Sequence, residues 1–185
     1  MGLIAIDPGV HSMAIAVFHD DGTLLDAWNE ESKSVFLTNV KLSVAGQVAR
    51  WGSPSVRLIN RLQSHVRLER NRIVGERQVV YPGAKGLKTN PNDLLDLAMC
   101  AGAFYGALCV DMVATLTIVE PAAWKAQVPK DITRTRIEGL LGSTEKMLIK
   151  KGGEMHNIYD AIGIGLFALG RAKKRLYAPD DRKHN

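Results

Sequence analysis

The chain opens with an apolar run, Leu3-Ile4-Ala5-Ile6, that stops abruptly at Asp7-Pro8-Gly9. So short a run before Pro-Gly reads as a buried strand closed by a turn, because proline has no N–H for a ladder and glycine accepts backbone conformations that other residues avoid. Residues 13–18 then alternate small and apolar side chains, Asp20-Asp21-Gly22 is a tight hairpin signal, and residues 23–28 supply a third strand. The first thirty or so residues are therefore an antiparallel meander, and whatever follows must pack on it.

Residues 30–53 show no clean period and receive no assignment. From Pro54, the spacing of Val56, Ile59, Leu62 and Val66 predicts an amphipathic helix with Arg57, Arg61 and Arg67 on its other faces. Residues 72–80 are strand-like, and the glycines and lysines of residues 82–88 read as a basic loop. Asn92 is the expected cap of a long helix reaching about Met112, on which Ala98, Gly102 and Gly106 make one side thin enough for close approach. That stripe serves either a partner copy or the sheet. The β-branched content of residues 115–119 predicts a fifth, buried strand stopped by Pro121. Residues 132–141, 143–150 and 157–174 read as helices, the last of them apolar enough over 161–169 to be buried. The sum is one mixed α/β domain over residues 1–185, a five-stranded sheet with helices on its faces, and a basic tail from about Arg171.

Composition bears on the partner. Apolar residues at 46% and charged residues at 23% are ordinary for a globular domain, while a net charge of +5 and an isoelectric point near 9.3 favour an anionic one. The basic residues gather in three segments, 57–77, 125–136 and 171–183, which can converge on one phosphate-binding face. Cys100 and Cys109 sit in an apolar stretch without metal-site spacing and are expected in the core. Residues 97–110, the longest uncharged run, fall short of the ~20 needed to span a bilayer, and no secretory leader precedes the first strand. A cytoplasmic protein, in a bacterium or in the host of a virus, is the expectation.

Three carboxylates stand out. Asp7 closes an apolar strand, Glu76 interrupts a strand flanked by Ile73, Val74, Val79 and Val80, and Asp160 immediately precedes the apolar segment Ala161-Ile162-Gly163-Ile164-Gly165-Leu166. A charge inside an apolar strand is costly unless paired or metal-bound. Acidic residues gathered from distant points are what a two-magnesium phosphodiesterase needs, since hard cations prefer oxygen ligands and a metal pair ~3.5–4 Å apart can clamp attacking and leaving oxygens.

The ordered set Ile6-Asp7-Pro8-Gly9, Val74-Gly75-Glu76-Arg77-Gln78-Val79, Trp124-Lys125 and Asp160-Ala161-Ile162-Gly163-Ile164 resembles the RuvC-type Holliday junction resolvases over nearly the whole chain. The resemblance implies an RNase H-like fold, a homodimer, magnesium with manganese as a substitute, and paired nicks in branched DNA leaving 5′-phosphate and 3′-hydroxyl ends, as recombination and repair require. It implies that Asp7, Glu76 and Asp160 hold metal, that Lys125 is catalytic, and that Tyr81 opens paired bases at a junction. Lys85, Lys88, Lys125, Lys130, Arg134 and Arg136 would then contact the DNA. The family carries Asp or His three residues before its last Asp, where this chain has Asn157 beside His156. Both positions return to roughly the face of Asp160 on a helix. An imidazole can ligate metal or move protons near neutral pH and an amide is a weaker ligand that cannot act as a base, so His156 is the favoured fourth metal-site group and Asn157 the alternative, with Asn157 a helix cap where the segment before Asp160 is a loop or first turn. Two other readings compete: an actin-like or sugar-kinase-like ATPase, for which a second phosphate loop and a glycine-rich nucleotide site are missing, and a catalytically idle nucleic-acid-binding relative, against which the intact carboxylates argue. No nucleotide cofactor and no membrane partner are expected.

Overall fold

In the computed structural model, which describes residues 2–31, 43–65, 71–78, 90–125, 128–149 and 155–172, the meander is present as β1 (Gly2–Asp7), β2 (Ser12–His19) and β3 (Leu24–Glu31). β2 pairs antiparallel with both neighbours, and a ladder irregularity lies between Val17 and Phe18. The Asp7-Pro8-Gly9 turn needs its glycine, since a Cβ at Gly9 would stand 2.4 Å from the Ser12 carbonyl oxygen.

Two helices follow, α1 (Val44–Trp51) and α2 (Val56–His65), then β4 (Asn71–Glu76), α3 (Pro91–Asp111) and β5 (Ala114–Val119). α1 falls in the stretch without a readable period. Its N-terminus is capped by the Ser43 hydroxyl, which accepts from the Gly46 N–H. β4 and β5 pair parallel, giving the sheet order β3-β2-β1-β4-β5. After β5 come α4 (Pro121–Trp124), α5 (Lys130–Leu140), α6 (Ser143–Met147) and α7 (Met155–Ala168).

The period of two along the strands divides the core. Ile4, Ile6, Met13, Ile15, Val17 and Ile73 face α1, α2 and α3, where Trp51 meets Phe104 edge-on at 5.2 Å. Leu3, Ala5, Ala14, Ala16, Phe18 and Val74 face α7. On that side half of the sheet residues are alanines, and α7 meets them with Gly163 and Gly165. A Cβ on Gly165 would lie 2.1 Å from the Phe18 ring, and one on Gly163 2.4 Å from the Trp124 ring. Small residues on both partners let this helix lie close to the sheet.

Three expectations need correction, and one open alternative is decided. Asn90, not Asn92, caps α3: its side chain accepts from the Asn92 N–H, and Pro91 takes the first helical position, where its missing N–H costs nothing. β5 is not buried; it is the sheet edge, with Thr115, Leu116, Thr117 and Ile118 exposed, because β-branching favours a strand without deciding whether anything covers it. The stripe of Ala98, Gly102 and Gly106 does not lie on the sheet: α3 buries Cys100, Ala101, Phe104, Tyr105 and Leu108 instead, and a Cβ on Gly102 or Gly106 would meet nothing within 4 Å. α7 starts at Met155 and stops at Ala168, where Gly170 at φ +74° takes the left-handed position that ends a helix. α3 is by length and composition long enough to cross a bilayer, yet one of its faces is packed on the sheet.

Gly165→Ala should therefore cost about 1–3 kcal/mol by forcing α7 off Phe18, read as a lowered urea midpoint, whereas Gly102→Ala should leave the fold of the single chain intact. Equal midpoints for Gly165→Ala and wild type would refute the close seat of α7.

Candidate active site

Asp7 ends β1 and Glu76 ends β4, and the parallel register places Ile6 beside Gly75, so the two acids follow one another on neighbouring strands roughly 5 Å apart at the backbone. By strand parity both belong to the side that faces α7. Asp160 lies one turn into α7 and is buried. The three carboxylates of the sequence reading thus meet at one end of the sheet, brought there by three separate elements.

Their environment is specific. The Trp124 indole N–H donates to Glu76 Oε2 at 2.7 Å, and the Lys125 ammonium bridges Glu76 Oε2 at 3.2 Å and Asp160 Oδ2 at 3.0 Å. α4 makes this possible: Pro121 opens a single turn that drives Trp124 against Gly163 and leaves Lys125 at its end. The resemblance pointed to the Trp124-Lys125 pair, but the role of Trp124 as the partner of Glu76 had no signal beyond its neighbour. The loop after Asp7 is fastened from the other side, where the Trp51 indole N–H donates to the Val10 carbonyl at 3.0 Å. Tyr105 of α3 lies against Gly75, where a Cβ would be 2.2 Å from its hydroxyl oxygen. A glycine inside a strand is a sign of such close approach, and Gly75 is the one sequence signal for this contact.

Burial raises the Glu76 carboxyl above its ordinary value of 4.5, against the pull of Lys125 and Trp124. Burial works to lower the Lys125 ammonium, but the charges of Asp160, Glu76 and Asp7 outweigh it and hold the group above its ordinary range. The acids act on Lys125 as a set, and it remains charged. Three hard oxygen donors at a spot that already draws in a cation suit a divalent metal ion. Among the described residues, no group of three or more His, Cys, Asp or Glu side chains stands as it is within reach of one metal ion; Lys125 stands between two of the acids.

The remaining candidates are placed unevenly. His156 is exposed in the first turn of α7 and Asn157 is half-buried beside it. With α7 starting at Met155, Asn157 is inside the helix and is not its cap. Arg134 pairs with Glu138 at 2.9 Å and lies over the Tyr159 ring, so part of its charge is spent locally. Arg136 belongs to α5, as does the backbone of Lys130. Tyr81, Lys85 and Lys88 lie outside the described residues.

No protein-family model matches the sequence, and no curated protein matches it either. Solved structures do. T. thermophilus RuvC in complex with Holliday junction substrate superposes with a TM-score of 0.63 at 18% identity, covering 92% of this chain and 94% of that one. A second Thermus thermophilus RuvC structure gives 0.57 at 17% identity over 94% and 99% of the two chains. The yeast mitochondrial Holliday junction resolvase Ydc2 gives 0.58 at 18%, covering 94% of this chain and 79% of that one. The chain has the RuvC-type, RNase H-like fold that the sequence implied.

A carboxyl whose value is raised by folding binds its proton more tightly in the folded state, so it contributes stability below its unfolded value and loses that contribution as pH rises through the folded one. Metal-free Glu76→Gln should therefore gain stability relative to wild type as pH climbs from about 4.5, while keeping the Trp124 hydrogen bond. Denaturant midpoints between roughly pH 4 and 8 read this out; a gap that shrinks with rising pH would contradict it.

Proposed function

We propose that this chain is a divalent-metal-dependent endonuclease that resolves four-way and related branched DNA by paired phosphodiester nicks. The convergence of Asp7, Glu76 and Asp160 around Lys125 at one end of the sheet carries this reading. The fold shared with RuvC and Ydc2 supports it, and so does a net charge of +5.

Magnesium, or manganese in its place, would when bound supply an activated water and neutralise charge developing on the phosphate. The chain's residues do the rest. Asp7, Glu76 and Asp160 would hold the cations, with Glu76 fixed in direction by the Trp124 indole. Lys125, paired with Glu76 and Asp160, would bind a non-bridging phosphate oxygen. His156, four residues before Asp160, would ligate metal or move a proton at the attacking oxygen, and Asn157 would support the helix turn between them. Lys130, Arg134 and Arg136, with Lys85, Lys88 and Tyr81, supply the contacts to the backbone and to the junction's open bases.

The working form is a two-fold dimer, since symmetric nicking requires two sites. α3 offers the surface: Leu95, Met99 and Val110 are exposed on it together with the open Gly102 and Gly106. This much apolar surface on one side of a helix is typical of a face that a partner covers.

With magnesium and labelled four-way junctions, Asp7→Asn, Glu76→Gln and Asp160→Asn should abolish nicking and retain binding, because removing negative charge does not weaken attraction to phosphate. His156→Ala should slow nicking by about 100-fold and Asn157→Ala by much less. Nicking by the three carboxylate variants at the wild-type rate would end the assignment. In sedimentation, wild type should be a dimer at micromolar concentration and Gly102→Leu a folded monomer that no longer makes paired nicks; a wild-type monomer that does so would remove the dimer.

A further inference from the structure

Tyr105 is buried to 5% exposure, and among the described residues its hydroxyl has no hydrogen-bond partner. Buried hydroxyls without partners are uncommon in folded proteins, and each asks for an explanation. A phenylalanine would fill the same space in the core between α3 and the sheet without stranding a polar atom. Gly75 shows that the hydroxyl end, not only the ring, is accommodated: any side chain there would collide with the hydroxyl oxygen at 2.2 Å and with the ring carbon bearing it at 2.3 Å. Gly75 directly precedes Glu76, and its partner across the ladder, Ile6, directly precedes Asp7. The phenol thus lies on the α3 face of the sheet, against the backbone that immediately precedes the two acids. Burial first, and then the negative charges of Asp7 and Glu76, push its ionisation far above the usual range, so it is a neutral hydroxyl with a proton to donate, close enough to feel both carboxylates.

We propose that Tyr105 is a positioning residue of the acidic site, whose hydroxyl donates to the Asp7 carboxylate, directly or through one water, when the site is loaded with divalent cations. The inference rests on the metal-site reading given above. A carboxylate that ligates a metal with one oxygen is oriented by a donor on the other, and such outer partners tune metal affinity without touching the ion. Lys125 and Trp124 serve Glu76 and Asp160 from the α7 side; Tyr105 does for Asp7, from the other side, what they do for those two.

The test is Tyr105→Phe in the full chain, titrated calorimetrically with Mn2+ alone and melted without metal. The expected result is a Mn2+ affinity weakened by about 10-fold or more, with a metal-free melting temperature equal to or above that of wild type, since the lost hydroxyl had no partner there. A purely structural tyrosine gives the opposite pattern, a lower melting temperature with unchanged Mn2+ binding, and that pattern overturns the proposal. So does Mn2+ affinity within twofold of wild type at any stability. Wild-type protein that binds no Mn2+ would overturn the metal site and this inference together. Failure of the nuclease reading would be seen separately, in the wild-type nicking assay.

Discussion

The close seat of α7 on the first two strands is the constraint from which the rest of the molecule follows. Alanines at positions 5, 14 and 16 on the sheet and glycines at 163 and 165 on the helix leave no side chain to hold the two layers apart. Phe18 fills the space over Gly165, and Trp124 fills that over Gly163. Once Trp124 is fixed there its indole N–H points at Glu76, and Lys125, the next residue, reaches both Glu76 and Asp160. A packing decision made in the apolar core thereby sets the separation and direction of the acids. Distance between layers is hard to adjust in a close-packed interior, which makes it a good ruler for a site.

The same arrangement works against stability. Glu76 and Asp160 are almost as buried as core residues, each with only about an eighth of its side chain exposed, and they share the single positive charge of one lysine. Charged groups so deeply placed are held at a cost that a purely structural design would avoid. Sites that do chemistry are where such departures from the best-folding sequence gather. Elsewhere the chain follows the ordinary rules: Asp26 is satisfied by Arg61, whose guanidinium also lies over Trp28 at 3.6 Å from the ring centre, and Glu145 is satisfied by Arg171 and by the N–H groups of Leu24 and Gly142.

Much of this was legible in the sequence, because the signals were local. The apolar run into Asp7-Pro8-Gly9, the hairpin at Asp20-Asp21-Gly22 and the glutamate within an apolar strand each announce a strand end or a costly charge without reference to the rest of the chain. What could not be read is tertiary. α1 is eight residues long, too short for periodicity to rise above chance, and it is held by Trp51 against Phe104, a contact between distant segments. β5 has the composition of a buried strand and the position of an edge, and only the sheet order tells the two apart. The small-residue stripe of α3 was visible as a stripe, but which way it faced depended on where Phe104 and Leu108 found their partners. Gly75 and Tyr105, thirty positions apart in number, had no shared pattern to connect them.

The arginines have a consequence for how the surface meets a polyanion. Arg61 and Arg171 are committed inside the fold to Asp26 and Glu145, and Arg171 also ties the Gly22 and Leu140 carbonyls together, while Arg77 and Arg134 sit within hydrogen-bonding distance of Glu120 and Glu138. The chain holds 24 lysines and arginines in all, but a guanidinium already engaged by a carboxylate displaces few condensed ions when a nucleic acid arrives. These four arginines add less to the salt sensitivity of the proposed DNA binding than their charges alone suggest.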